Sequence, residues 1–182
     1  MVVTGAGGYL GRAVCQTLLA RGHRVRALLR SGLAVPGAAA IHQDLVTDNL
    51  GPTLEGCDVV VHAAGAVRGT WATMARDTIA ATTRLLLAMQ DASAPPRLVL
   101  ASSLAVYAAG EPGGAVTEAS PLEPEVPQRD GYTRSKLAQE RLVRDMARAD
   151  AWLLRIGWLW SRERLSGDVL GPRLGPLRVR VA

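Results

Sequence analysis

Several residue types and patterns are scarce in this sequence, and each scarcity excludes something. Cysteine occurs only at Cys15 and Cys57. Two thiols, one in a helical pattern and one ahead of a strand-like run, make neither a disulfide framework nor a zinc site, and they suit a reducing compartment. No apolar run approaches the roughly 20 residues of a membrane span, and no basic segment with a long apolar stretch opens the chain. A cytoplasmic protein with no membrane association is therefore expected. Aromatic residues make up 4% and the arginines are dispersed, so the net charge of +5 reads as a compositional bias and not as a nucleic-acid surface. Lysine is almost missing: Lys136 stands alone against twenty arginines. There is no internal repeat and no low-complexity linker.

What is present points to one folded unit. The 182 residues are 48% hydrophobic and 20% charged, ordinary globular usage for a chain of single-domain length. The opening "MVVTGAGGYLGRAVCQTLLARGHRVRALLR" reads as a short strand, a glycine turn, a helix over residues 10–21 and a second strand. "AAAIHQDL", "CDVVVHAAG", "PRLVLASS" and "AWLLRIG" supply four further strands. Their continuous apolar runs suit strands covered on both faces, as in a parallel sheet. Between the fourth and fifth strands, Met74, Ile79, Leu85, Leu86 and Met89 fall on one face of a long helix. A Gly/Pro-rich loop over 109–129 leads to a helix carrying Tyr132 and Lys136. This alternation predicts an α/β fold with a doubly wound parallel sheet in three layers, α/β/α, over residues 1–160. Residues 161–182 form a tail without a clear period until "LRVRV", an added edge strand or a loosely held end.

"TGAGGYLG" places Gly5, Gly8 and Gly11 between a strand and a helix. In that context the first glycine allows the turn, the second lets backbone approach a pyrophosphate, and the third lets helix pack on strand. The helix start, at Tyr9 and Leu10, would face the phosphates with its free N–H groups. No Gly-Lys-Ser/Thr follows, so a P-loop is excluded. At the end of the second strand Leu29 stands where an acid would hold the ribose of NAD, and Arg30 follows it. An arginine there can pair with the 2′-phosphate of NADP, so NADP is favoured over NAD.

Tyr132 and Lys136 are four apart, hence on one helix face. An ammonium beside a phenol favours the phenolate and turns a poor acid–base group into a useful one. Lysine can also hold a ribose hydroxyl. Ser102 and Ser103 end the fifth strand, where an open parallel sheet places its ligands. A hydroxyl there can donate to a carbonyl oxygen as charge develops on it. Ser102 is read as only capping or turning the chain.

Together "TGAGGYLG", "QDL", "HAAG", "LASSLAVY" and "YTRSKLAQE" resemble the short-chain dehydrogenase/reductase family, most closely its extended branch of epimerases, dehydratases and related reductases. The resemblance runs through residues 3–157. It implies a Rossmann-type fold and hydride transfer between a nicotinamide cofactor and a carbinol or carbonyl carbon of a small sugar-nucleotide-like or other alcohol or ketone substrate. It also implies that Ser103 polarises the carbonyl, Tyr132 is the catalytic acid or base, and Lys136 assists it and binds the nicotinamide ribose. Asp44 and Leu45 would lie against the adenine, and Ala63, Ala64 and Gly65 would line the middle of the cofactor. His62 is read as a packing residue, and no metal is expected. A homodimer through a helix pair containing the Tyr132 helix is also implied.

The chain departs from the pattern at Thr78, where the family often has asparagine, and after the sixth strand, where Ile156 and "WLWSRE" replace a proline and "YG". The extended branch usually continues for a substrate-binding lobe, and the first strand begins almost at Met1, so a shortened enzyme with that lobe mostly missing is expected. The alternative is an inactive truncated dinucleotide-binding module, a redox sensor or a gene fragment.

Overall fold

A computed structural model describes residues 1–108, 115–124, 129–147 and 149–159. The expected tail over 161–182, and parts of the expected loop over 109–129, lie outside these residues. The six expected strands are all present: β1 (Val2–Thr4), β2 (Arg26–Leu29), β3 (Ala39–His42), β4 (Val59–His62), β5 (Arg97–Ser103) and β6 (Ala151–Ile156). They form one parallel sheet in the order β3-β2-β1-β4-β5-β6. The order reverses between β1 and β4, and a crevice opens beyond their carboxyl ends at Thr4 and His62.

Alternation along the strands builds the layers. Val3, Ala27 and Leu29 pack with Cys15 of α1 (Tyr9–Ala20) on one face. Val2, Leu28, Val60, Leu98 and Leu100 pack on the other, where α2 (Gly51–Leu54), α4 (Ala81–Gln90) and α5 (Gly131–Met146) contribute Leu54, Leu85, Leu86, Met89 and Val143. Every one of these side chains is less than a tenth exposed. At roughly 1.5–3 kcal/mol for each large apolar side chain removed from water, these two clusters are the main source of stability.

Two expectations need correction. Covering of both strand faces holds for β1 and β2 but not for β6, where Trp152 and Leu154 are 48% and 50% exposed. They pair with Val99 and Ala101, on the side away from α4 and α5, where α1 does not reach. The long helix is also not uniform. Between α3 (Trp71–Met74) and α4 lies a π-helical segment, Ala75–Ala80. A wider turn shifts the register, so Thr78 is buried at this level and Ile79 only half-buried.

Candidate dinucleotide site

The glycine turn has the geometry its sequence suggests. Gly5 has φ +65°, and a Cβ there would meet the Ala64 nitrogen at 2.7 Å. At Gly11 a Cβ would lie 2.2 Å from the Gly5 carbonyl oxygen, so only glycine lets α1 approach β1 this closely. Gly8 caps α1, with no side chain bonded to the cap and no acidic residue in the first turn. The helix start is therefore open to an anion and repels none, which fits a pyrophosphate.

Two cavities meet at this turn and share Gly5, Gly8, Ala63 and Gly65. The first, about 450 Å³, extends over Leu28 and Leu45 to a polar rim holding Arg30, Asp44 and Asp77. Ala64 lines it as well. Arg30 donates to Asp77 at 2.9 Å, and Arg76 bridges Asp77 at 2.6 Å and Asp44 at 2.7 Å. The Arg76 guanidinium, helped by the Val46 N–H, holds the Asp44 carboxyl below its usual range. Burial pushes Asp77 up, but Arg30 and Arg76 outweigh it and leave the carboxyl lowered. Arg76 and Asp77 were not singled out from the sequence. They reach the rim because the π segment carries them there, and no residue spacing announces a π turn.

The second cavity, about 300 Å³, takes Tyr9, Leu10 and Gly11 on one side and Tyr132 and Lys136 on the other. Asp130 positions the helix that brings the latter two: its carboxylate accepts from the Thr133 N–H at 3.0 Å and hydroxyl at 2.7 Å. Lys136 is 6% exposed and donates to the Ala101 carbonyl and the Gln139 side-chain oxygen, each at 2.8 Å. Burial pulls its pKa down to about 8, with Glu140 pulling the other way. Gln139, one turn beyond Lys136 and fully buried, was not singled out from the sequence.

Ser103 alone among the sequence-predicted residues does not line either cavity. It caps the short 3₁₀ turn Leu104–Val106 at the end of β5, accepting from the Ala105 N–H at 3.2 Å. That bond uses an oxygen lone pair and leaves the hydroxyl proton available. Ser102 does more than cap or turn the chain: it donates to Glu140 at 2.5 Å. Arg155 holds the same carboxylate through Nε and Nη2, both at 3.0 Å, and its guanidinium lies 4.6 Å from the centre of the Tyr107 ring. His62 is fully buried, as a packing residue should be, and burial followed by the Lys136 charge lowers its pKa to about 3. Among the described residues no group of three or more His, Cys, Asp or Glu could hold a metal, and no helix is long and apolar enough to cross a membrane.

A ketoreductase of Stigmatella aurantiaca, acting on 4-hydroxy-2-methyl-3-oxo-4-farnesyl-3,4-dihydroquinoline-1-oxide, is 38% identical over 151 residues, covering 78% of this chain and 44% of its own. A 2-alkyl-3-oxoalkanoate reductase of Shewanella oneidensis is 31% identical over 157 residues, 79% of this chain and 38% of its own. Among solved structures, MoeE5 in complex with UDP-glucuronic acid and NAD superimposes with a TM-score of 0.74 at 32% identity, over 85% of this chain and 53% of that one. The chain thus spans about half or less of the length of these relatives. The model of the NAD dependent epimerase/dehydratase family matches residues 1–161, and the chain belongs to that family.

Proposed function

We propose that the protein is an NAD(P)-dependent oxidoreductase or epimerase acting at a carbinol or carbonyl carbon of a small molecule. The observation that carries this reading is the meeting of the glycine turn with Tyr132 and Lys136 in one cavity. The dinucleotide, when bound, supplies hydride exchange. Gly5, Gly8 and the start of α1 would hold its pyrophosphate, and the cavity over Leu28 and Leu45 its adenosine. Tyr132 passes the proton to or from the substrate oxygen. Ser103 donates its unused hydroxyl proton to that oxygen as charge develops. Lys136, with two of its three N–H groups engaged by protein oxygens, would have the third for the ribose or the phenol.

NADP is the favoured cofactor. Leu29 is buried and offers no carboxylate to a ribose, while two guanidiniums, Arg30 and Arg76, converge on Asp77 at the rim. A 2′-phosphate can take over those guanidiniums, although Asp77 opposes it. The substrate is a sugar-nucleotide-like or other small alcohol or ketone. Its relatives, a ketoreductase, an oxoalkanoate reductase and a protein solved with UDP-glucuronic acid, support that breadth. A homodimer through α5 remains part of this reading.

The test is turnover on candidate carbonyls with NADPH and NADH. Tyr132→Phe should lose about a hundredfold or more in kcat, the usual worth of a positioned acid. Unaltered turnover in that variant removes the assigned mechanism. Arg30→Ala should weaken NADPH far more than NADH, and equal weakening of both would contradict the preference for NADP.

A further inference from the structure

Beneath the second cavity lies a buried chain of hydrogen bonds that fixes more than the fold. The Thr82 hydroxyl donates its single proton to the Thr78 carbonyl at 2.6 Å. Its oxygen must therefore accept from both other neighbours, Gln139 Nε2 at 2.8 Å and His62 Nε2 at 2.9 Å. His62 then carries its proton on Nε2, and Nδ1 accepts from the Thr4 hydroxyl at 2.7 Å. The Thr4 oxygen in turn accepts from the Ala64 N–H at 3.2 Å. Thr82, Gln139 and His62 are all fully buried, so no water competes for these roles.

The consequence falls on Lys136. With Nε2 committed to Thr82, the Gln139 carboxamide presents Oε1 to the lysine Nζ at 2.8 Å. Turned over, it would set its NH₂ against an ammonium and its oxygen against the Thr82 lone pairs, two repulsions in a dry interior. The Ala101 carbonyl takes a second N–H at 2.8 Å. An ammonium is tetrahedral, so two fixed acceptors fix the direction of the third N–H. On the open side lies Gly65, where an added Cβ would stand 3.7 Å from Nζ.

We propose that Gln139 is a positioning residue for the cofactor's nicotinamide ribose: anchored through Thr82 to His62 and Thr4, it holds Lys136 so that one N–H points into the cavity. The proposal rests on the dinucleotide reading of the site. A carboxylate in its place would hold the lysine as a salt bridge, and an aliphatic side chain would release it. The titratable groups facing Nζ are Glu140 and Tyr132 on its own helix and His62 on β4. β5 and the π segment face it with the Ala101 carbonyl and Thr78, which do not titrate.

Because Lys136 is the chain's only lysine, protein labelled with ¹³C at the lysine ε-carbon gives one side-chain signal, whose pH midpoint belongs to Lys136. The full chain, Gln139→Leu and Gln139→Glu are compared by that midpoint and by binding of NADH and of ADP, which lacks the second ribose. In Gln139→Leu the midpoint should fall and NADH should bind about tenfold more weakly with ADP unchanged, the loss of one charge-assisted hydrogen bond. In Gln139→Glu the midpoint should rise above that of the native chain. If both variants keep the native midpoint and the native ratio of NADH to ADP affinity, the proposal is wrong. Should Gln139→Leu lose ADP binding too, its fold is damaged and Gln139→Glu decides: a raised midpoint supports the proposal and an unmoved one overturns it. If the native chain binds neither nucleotide, the dinucleotide reading fails by itself, while the cofactor-free midpoints still decide whether Gln139 governs Lys136.

Discussion

At the scale of single residues, Gly11 is the most constrained position in the site. A methyl group there would overlap the Gly5 carbonyl, with 2.2 Å between heavy atoms, and neither backbone segment can retreat without opening the β1–α1 contact. Gly11→Ala should cost about 2 kcal/mol or more, as overpacking does, and should weaken NADH binding along with the melting temperature. A variant as stable as the native chain would show that the turn is looser than described. Gly5, Gly8, Gly11, Tyr132 and Lys136 were readable from the sequence because fixed offsets between rare residue types carry their chemistry. Gln139, Arg76 and Asp77 were not singled out, since glutamine and arginine are unremarkable on a helix until a partner from another element defines them. For Gln139 that partner is Thr82, 57 residues away.

At the scale of elements, the carboxyl end of the sheet is tied together through one buried acid. Glu140 of α5 is fully buried, accepts from Ser102 of β5, and is held by Arg155 of β6 and by Arg144 at 2.6 Å. Burial raises its pKa, and Arg155 and Ser102 more than reverse that, leaving it lowered. Glu140→Gln leaves the Arg155 charge without its carboxylate and should cost roughly 3–5 kcal/mol, measured by denaturant unfolding at pH 7. A loss below about 1 kcal/mol would mean that the pair is replaceable, as surface pairs are. All six strands and the helix starting near Tyr9 were legible as elements, because apolar runs and glycine punctuation are local signals. The π segment was not. It differs from an α-helix by about one residue per turn, and in it the Thr78 hydroxyl oxygen accepts from the Ala66 N–H at 3.0 Å, a contact no local pattern encodes. The half-exposed face of β6 was equally hidden, since an apolar run says that a strand prefers cover but not how much of it the described residues supply.

At the scale of the whole molecule, the buried polar chain makes stability depend on pH. The folded protein holds His62 neutral down to about pH 3, whereas an unfolded chain protonates it near 6.5. Between those values the unfolded state binds the extra proton, so stability rises with pH across the window and is lost as pH falls from 6.5 toward 3. The slope from this one group approaches 1.4 kcal/mol per pH unit. Urea unfolding at pH 4, 5 and 6 checks it: a His62→Asn variant should show a visibly flatter dependence over that interval, and an equal slope would assign the acid sensitivity elsewhere.

On the proposed reading the glycine turn and the Tyr132–Lys136 helix, far apart in sequence, serve one bound dinucleotide. The ¹³C signal of the single lysine tests it without any substitution. Added NADH should move that signal and change its titration midpoint from about 8, while ADP, which on this reading would reach only the turn and the Leu28–Leu45 cavity, should bind and leave it in place. NADH that binds as tightly as in any dehydrogenase yet leaves the lysine signal unmoved would separate the two halves of the site and contradict the account.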